Sequence, residues 1–194
     1  MAKINDTTTF PNTTPALDDF VIGTDVSDTG NSADGEVVTF TLDAITKLGG
    51  FKGIQVFTSS GTWTRPTGVN NVLVFVTGGG GGGGGGTYGG AGGTAIKRLS
   101  VTGIASSTIT IGAGGGSSSD GGSSSWADGT NTITGGGGGR FGTSGGASGG
   151  DINLSGVVGN SATYEVGSFW GPSYGKGGAG TGSTAGIVVV FEFS

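Results

Sequence analysis

The chain has 194 residues, 49 of them glycine, and a formal net charge of −5. It contains no cysteine and no histidine, which excludes disulfides, thiolate or imidazole metal sites, cysteine nucleophiles and any Ser-His-Asp arrangement. Its glycine-free apolar runs are far shorter than the roughly 20 residues a membrane helix needs, and no apolar leader follows Met1, so a soluble protein made without secretory export is expected.

Such glycine enrichment usually marks a flexible low-complexity segment. Disorder, however, favours low hydrophobicity with high net charge, and this chain keeps a real stock of Val, Ile, Leu and Phe with little net charge. Order is therefore expected. Charge divides the chain: residues 1–50 hold eight acidic side chains against two lysines, and the remainder holds six basic against five acidic ones. Two modules follow, 1–50 and 51–194. Neither has a basic stripe, so nucleic acid is excluded as a partner class.

Residues 1–20 are polar and Thr-rich, with Pro11 and Pro15 arguing against a helix interior or central strand; an extended arm is expected. Residues 20–22 read as a short strand, with a turn at Gly23, Thr24 and Asp25. Turn formers fill 28–35. Val38, Phe40 and Leu42 alternate with Thr39 and Thr41, a strand of period two. Asp43 is placed to cap a short helix over 44–48, which Gly49 and Gly50 end.

The second module opens with a strand over 54–57, a loop over 58–62 and a turn at residues 65–68. Residues 69–76 are the best strand in the chain. Both faces are apolar, so it reads as central and covered on two sides. The closing run 187–193 has the same character, which places both ends of the glycine-rich stretch on one sheet. Weaker strands are expected over 95–101 and 108–111, with a turn at Gly103.

The nine consecutive glycines at 78–86, with shorter runs at 114–116, 135–139, 145–146, 149–150 and 177–178, suit polyproline-II-type helices of three residues per turn. The longest would span about 28 Å. Such helices have no internal hydrogen bonds, so buried ones must bond to neighbours. Collagen is excluded by four prolines and unbroken glycine runs.

The first 48 residues resemble the N-termini of phage tail-fibre proteins, through Asp-Asp-Phe-Val-Ile-Gly-Thr-Asp at 18–25 and Val-Thr-Phe-Thr-Leu-Asp-Ala-Ile at 38–45. Residues 54–194 resemble the glycine-rich domain of phage tail fibres. The landmarks are Phe57 to Trp63, Pro66, Val72 to Val76 running into the nine glycines, Ile109 to Gly115, Gly121 to Ser125, and Ala185 to Val190. Segment 151–174 has no counterpart in that pattern. The resemblance implies a virion protein of the phage tail, made in the host cytoplasm. It would attach by its N-terminus, with Phe10, Asp18, Asp19 and Phe20 as candidate attachment residues, and meet the bacterial surface at its other end.

Binding residues favour loops on a rigid scaffold, so the interruptions between glycine runs are the candidate receptor contacts: Tyr88, Trp126, Arg140, Phe141, Tyr164, Phe169, Trp170 and Tyr174. Aromatics flanked by Ser, Asn and Gly suit loop-based recognition, and stacking on sugar rings is the expected chemistry. Each of these aromatics could instead plug the core. Residues 171–177 fall one residue short of a phosphate loop and have Gly177 where Ser or Thr is required. Asp25, Asp28, Asp34 and Glu36 lack the spacing of a calcium loop. Asn5, Asn12 and Asn153 begin sequons, which matter only after secretion.

The expected fold is all-β with packed polyglycine segments and a small N-terminal module carrying the short helix. The expected function is binding rather than catalysis, without cofactor or metal. The expected partners are other tail proteins and a bacterial surface glycan or outer-membrane protein, and a homotrimer is expected because the first module is small for an independent core. The alternatives are a tail-borne polysaccharide depolymerase, using Asp120, Asp128, Asp151 and Glu165, and an ice- or surface-binding glycine-helix protein.

Overall fold

The structure, a computed structural model, describes residues 20–25, 36–41, 50–160, 167–179 and 182–194. The chain divides into two compact units, Met1–Gly50 and Phe51–Ser194. In the first, β1 (Phe20–Asp25) and β2 (Glu36–Thr41) form an antiparallel pair running from Phe20 opposite Thr41 to Asp25 opposite Glu36. The turn expected at Gly23, Thr24 and Asp25 is instead the end of β1, because β2 supplies a partner for every residue. Of the arm expected over 1–20 only Phe20, which begins β1, is described; the rest of the arm and the helix over 44–48 lie outside the described residues.

The second unit contains two five-stranded antiparallel sheets. One has β3 (Phe51–Phe57) at an edge, then β12 (Ile187–Phe193), β5 (Asn71–Thr77), β6 (Thr94–Ser100) and β11 (Ile152–Leu154). The other runs from β4 (Gly61–Thr64) through β7 (Ser106–Thr110), β8 (Ser124–Ala127) and β9 (Thr132–Gly135) to β10 (Ala147–Ser148). Thus Gly61 and Thr62, expected in a loop, begin β4, and Ser124 to Ala127, also read as a loop, form β8. β5 and β12 pair over seven residues, so the glycine-rich stretch leaves and rejoins one sheet.

Strand alternation sorts the side chains. Val72, Val74 and Val76 of β5 and Val188 and Val190 of β12 point inward and are fully buried, each contributing about 1.5–3 kcal/mol. From the other sheet Trp63, Ile109, Trp126 and Ile133 meet them, and the two indoles lie 5.0 Å apart. The inner face also holds a carboxylate: Glu192, 4 % exposed, accepts hydrogen bonds from Trp63 Nε1 at 2.8 Å and Gln55 Nε2 at 2.7 Å.

The outer faces differ. That of the β4–β10 sheet is water-facing, with Thr62, Thr64, Thr108, Thr110 and Thr132 exposed. That of the β3–β11 sheet is apolar: Ile152, Ile96, Phe75, Val189 and Val56 stand side by side across all five strands. The expectation that β5 is covered on both sides is met fully on the inner face, which the second sheet seals, and in part on the outer one, where Leu73 and Phe75 are half-buried and the rings of Phe169 and Trp170 pack on Phe75.

The glycines leave the sheets as long hairpin arms and gather into a bundle. From the central run, Gly78 and Gly81 donate backbone N–H bonds to Gly93 and Gly90, and Gly79 and Gly82 donate to Gly122 and Ser119. Gly80 donates to Thr184. In return, the carbonyls of Gly79, Gly80 and Gly81 accept from Gly138, Gly115 and Gly178. Donors thus reach three neighbouring segments, acceptors serve three others, and the partner changes with a period of three. An added Cβ at each of Gly78 to Gly82 would collide with a neighbouring backbone carbonyl. The close approach therefore requires glycine, and every buried N–H of the run finds an oxygen.

Candidate functional site

Each arm turns back at the end of the bundle away from the sheets, so the turns collect there. Gly84 and Thr87 close the first by mutual backbone bonds of 3.0 and 3.2 Å, with Gly85 at φ 61° and Gly86 at φ 85°. Ser118, at φ 55°, donates its N–H to Gly83 and joins the second turn to the first. The third is a single 3₁₀ turn, Arg140–Gly142. A Cβ on Gly84 would lie 3.3 Å from the Phe141 ring, and one on Gly142 would meet the carbonyl of Gly159, the residue after Val158.

Phe141 has φ 56° and ψ 31°, a left-handed conformation costly for a bulky L-residue. It is held there because Gly139 and Thr143 pair at the base of the turn and the Arg140 N–H donates to Asp120 Oδ1 at 2.8 Å. The result is a ring 53 % exposed, with the Arg140 guanidinium 5.9 Å from its centroid. Tyr88, half-buried, follows the first turn, and its backbone carbonyl is beside Gly159. Three of the candidate contacts, Tyr88, Arg140 and Phe141, are therefore brought to one end of the bundle.

The others are elsewhere. Trp126 is corrected from contact to core: it is fully buried against Trp63. The serines before it, taken as loop formers, alternate as a strand once β7 and β9 flank them. Phe169, Trp170 and Tyr174 lie in a loop laid over the apolar sheet face. Phe169 stacks on Phe75 at 5.7 Å, and Trp170 packs edge-on to Phe75 at 5.6 Å while its Nε1 donates to Thr77 Oγ1. The loop is closed by Ser168, whose hydroxyl donates to the Tyr174 carbonyl. Tyr164, Phe10, Asp18 and Asp19 lie outside the described residues, and of Phe20 only the backbone, in β1, is described.

The described carboxylates of the second unit each hold a local structure. Asp128 is partly buried, which opposes ionisation. Even so, the backbone N–H groups of Asn131 and Thr130 and the Asn131 amide hold its carboxyl below the usual aspartate range. Asp151 is likewise lowered, by the Arg98 backbone N–H and by Lys97 Nζ at 3.1 Å. Asp120 and Glu192 are engaged as described above, and Glu165 lies outside the described residues. Among the described residues, no group of three His, Cys, Asp or Glu side chains is placed to hold a metal ion, and no helix is long and apolar enough to cross a membrane.

No family model matches the chain, and a search of curated proteins gives no match.

Proposed function

We propose that this chain is a structural phage tail-fibre protein that binds the bacterial surface. Residues 1–50 attach it to other tail proteins and hold it in a homotrimer. The free end of the glycine bundle contacts a surface glycan or outer-membrane protein. The order of sequence landmarks supports the tail-fibre reading. The observation that carries the contact site is Phe141, strained, exposed and flanked by Arg140 at the end of a bundle that has no slack. Backbone strain at an exposed aromatic is a reason to look for function, and an aromatic beside a guanidinium suits sugar stacking with charge-assisted hydrogen bonding to acidic or hydroxyl groups.

The test is retention of fluorescently labelled full-length protein on a panel of bacterial strains. The wild type is expected to be retained on at least one strain. Phe141→Gly, which relieves the left-handed strain, is expected to lose retention at least tenfold while melting no lower than the wild type. Retention on no strain, or equal retention of the variant, overturns the contact assignment. Release of new reducing ends from capsule or lipopolysaccharide would instead favour the depolymerase alternative.

A further inference from the structure

The loop carrying Phe169 and Trp170 crosses the outer face of the β3–β11 sheet without filling it. Thr77 of β5 is opposite Thr94 of β6, and Leu154 of β11 is opposite Thr94 on its other side. Between the loop and β11 is a hollow of about 310 Å³. Phe169 and Ser168 wall it from the loop, Leu154, Ser155 and Val157 wall it from the β11 segment, and Thr94 is at the floor.

Its frame is fixed. The Ser168 hydroxyl donates to the Tyr174 carbonyl and accepts from the Trp170 N–H. Phe169 is set against Phe75 and Trp170, with ring centroids 5.7 and 5.1 Å away, and half of it stays exposed. A hydrogen-bond chain runs from this loop to the floor. Trp170 Nε1 donates to Thr77 Oγ1, which shares a bond of 2.8 Å with Thr94 Oγ1. Thr94 is 1 % exposed, and no other described group bonds to its hydroxyl. A hydroxyl donates once and accepts twice. If Thr77 donates, the Thr94 proton is unused; if Thr94 donates, its lone pairs are. Either way a buried hydroxyl at the floor has capacity to spare, and such groups normally have partners.

We infer that the hollow binds one ring of a neutral saccharide bearing a methyl group, a deoxyhexose or an N-acetylhexosamine. Sugar hydroxyls both donate and accept, which suits Thr94 in either arrangement and Ser155 at the rim. The C–H face of a pyranose suits the exposed part of the Phe169 ring, and a methyl group suits Leu154 and Val157. No charged side chain lines the hollow, so a carboxylate entering it would shed water without gaining a partner. The volume is at the low end of the roughly 300–1,000 Å³ of ligand sites, which admits a single ring rather than a chain. The site is where the arms leave the sheet, apart from the turns at Phe141, and it does not rest on the receptor assignment made there.

The test is ligand-observed NMR titration of the full-length protein with methyl rhamnoside, methyl N-acetylglucosaminide, methyl glucuronoside and hexanol. At least one of the two methyl-bearing neutral sugars should bind with a Kd of about 1–10 mM, as a single small ring allows, and the glucuronoside at least tenfold more weakly. Val157→Trp fills the hollow from an exposed position and should weaken sugar binding at least tenfold with an unchanged melting temperature. Thr94→Val keeps the shape and removes the hydroxyl, and should weaken it at least threefold; if that variant melts early, Val157→Trp alone decides. Phe141→Gly should bind these sugars as the wild type does. No binding of either neutral sugar, equal binding of the glucuronoside, tighter binding of hexanol, or binding that Val157→Trp leaves intact overturns the inference. These readouts involve no host cell, so failure of the receptor assignment leaves them interpretable.

Discussion

Gly80→Ala isolates the physical basis of the bundle. The Gly80 N–H donates to Thr184 at 2.9 Å and its carbonyl accepts from Gly115 at 2.8 Å. A methyl group built on Gly80 would sit on the Lys176 carbonyl and within 2.6 Å of the Gly177 nitrogen. Neither neighbour is the tip of a side chain that could swing away. Both are backbone, and the Lys176 carbonyl is held by the Thr184 N–H. The two segments must therefore part, and each buried polar group left unpaired costs about 1–3 kcal/mol, which puts the total at about 3–5 kcal/mol. At about 2–4 °C per kcal/mol for a domain of this size, the melting temperature should fall by about 10 °C. Gly116→Ala is the matched control, because its Cβ would have nothing within 4 Å. That substitution should be neutral, or stabilising by at most about 1 kcal/mol through the unfolded chain. Thermal unfolding followed by calorimetry separates the two. If Gly80→Ala melts within about 2 °C of Gly116→Ala, close backbone packing is not what orders this region.

Trp126→Ala should cost about 3–5 kcal/mol, as large core truncations do; a melting temperature within 2 °C of wild type would remove Trp126 from the core. Glu192→Leu strands the donors of Trp63 and Gln55 and should destabilise by at least about 2 kcal/mol, measured by urea unfolding, whereas Glu192→Gln, which keeps an acceptor, should cost less; equal losses would mean the carboxylate's hydrogen bonds contribute nothing. Asp128 and Asp151 titrate below their unfolded value near 3.9, so the stability they add is present above about pH 5 and fades as pH falls through the lowered folded values. Asp128→Asn/Asp151→Asn should therefore flatten the melting temperature between about pH 5 and pH 2, and an unchanged acid slope would show that other groups carry it.

Much of the framework is legible in the residues. The apolar runs of β5 and β12 locate the central strands, and the glycine runs locate the arms, because nothing but glycine tolerates backbone-to-backbone contact on every side. What escapes is whatever depends on a partner distant in sequence. β8 has serines where a strand usually carries branched residues, yet Trp126 and Ser124 face inward once β7 and β9 flank them. Trp126 misleads for the same reason: an aromatic among glycines and serines has the composition of a recognition loop, and only the pairing shows which way the indole points. Glu192 gives a sharper case. A single carboxylate in an apolar strand has no local sign of the two donors waiting 129 and 137 residues away. Of the contact candidates, Tyr88, Arg140 and Phe141 lie together at the turns, but the strain at Phe141 is invisible without the backbone, since no glycine or asparagine stands at that position to announce a left-handed residue.

The glycine bundle separates two demands that a sheet must meet together. In a sheet the residues that fix the register also present the surface, so changing the surface risks the register. Here rigidity comes from main chain bonded to main chain, and the space for an added Cβ changes abruptly along one run. It is blocked from Gly78 to Gly83 by backbone, and at Gly84 first by the Ser118 side chain, but open at Gly85 and Gly86, where the arm turns. The positive φ at those two positions still disfavours side chains, but at Thr87, Tyr88, Arg140 and Phe141 the chain already carries them. The turns can therefore vary while the arms cannot. A surface-binding protein built this way can exchange its contact residues without touching the bonds that hold it up, which is the physical reason to look for recognition at the turns rather than on the arms.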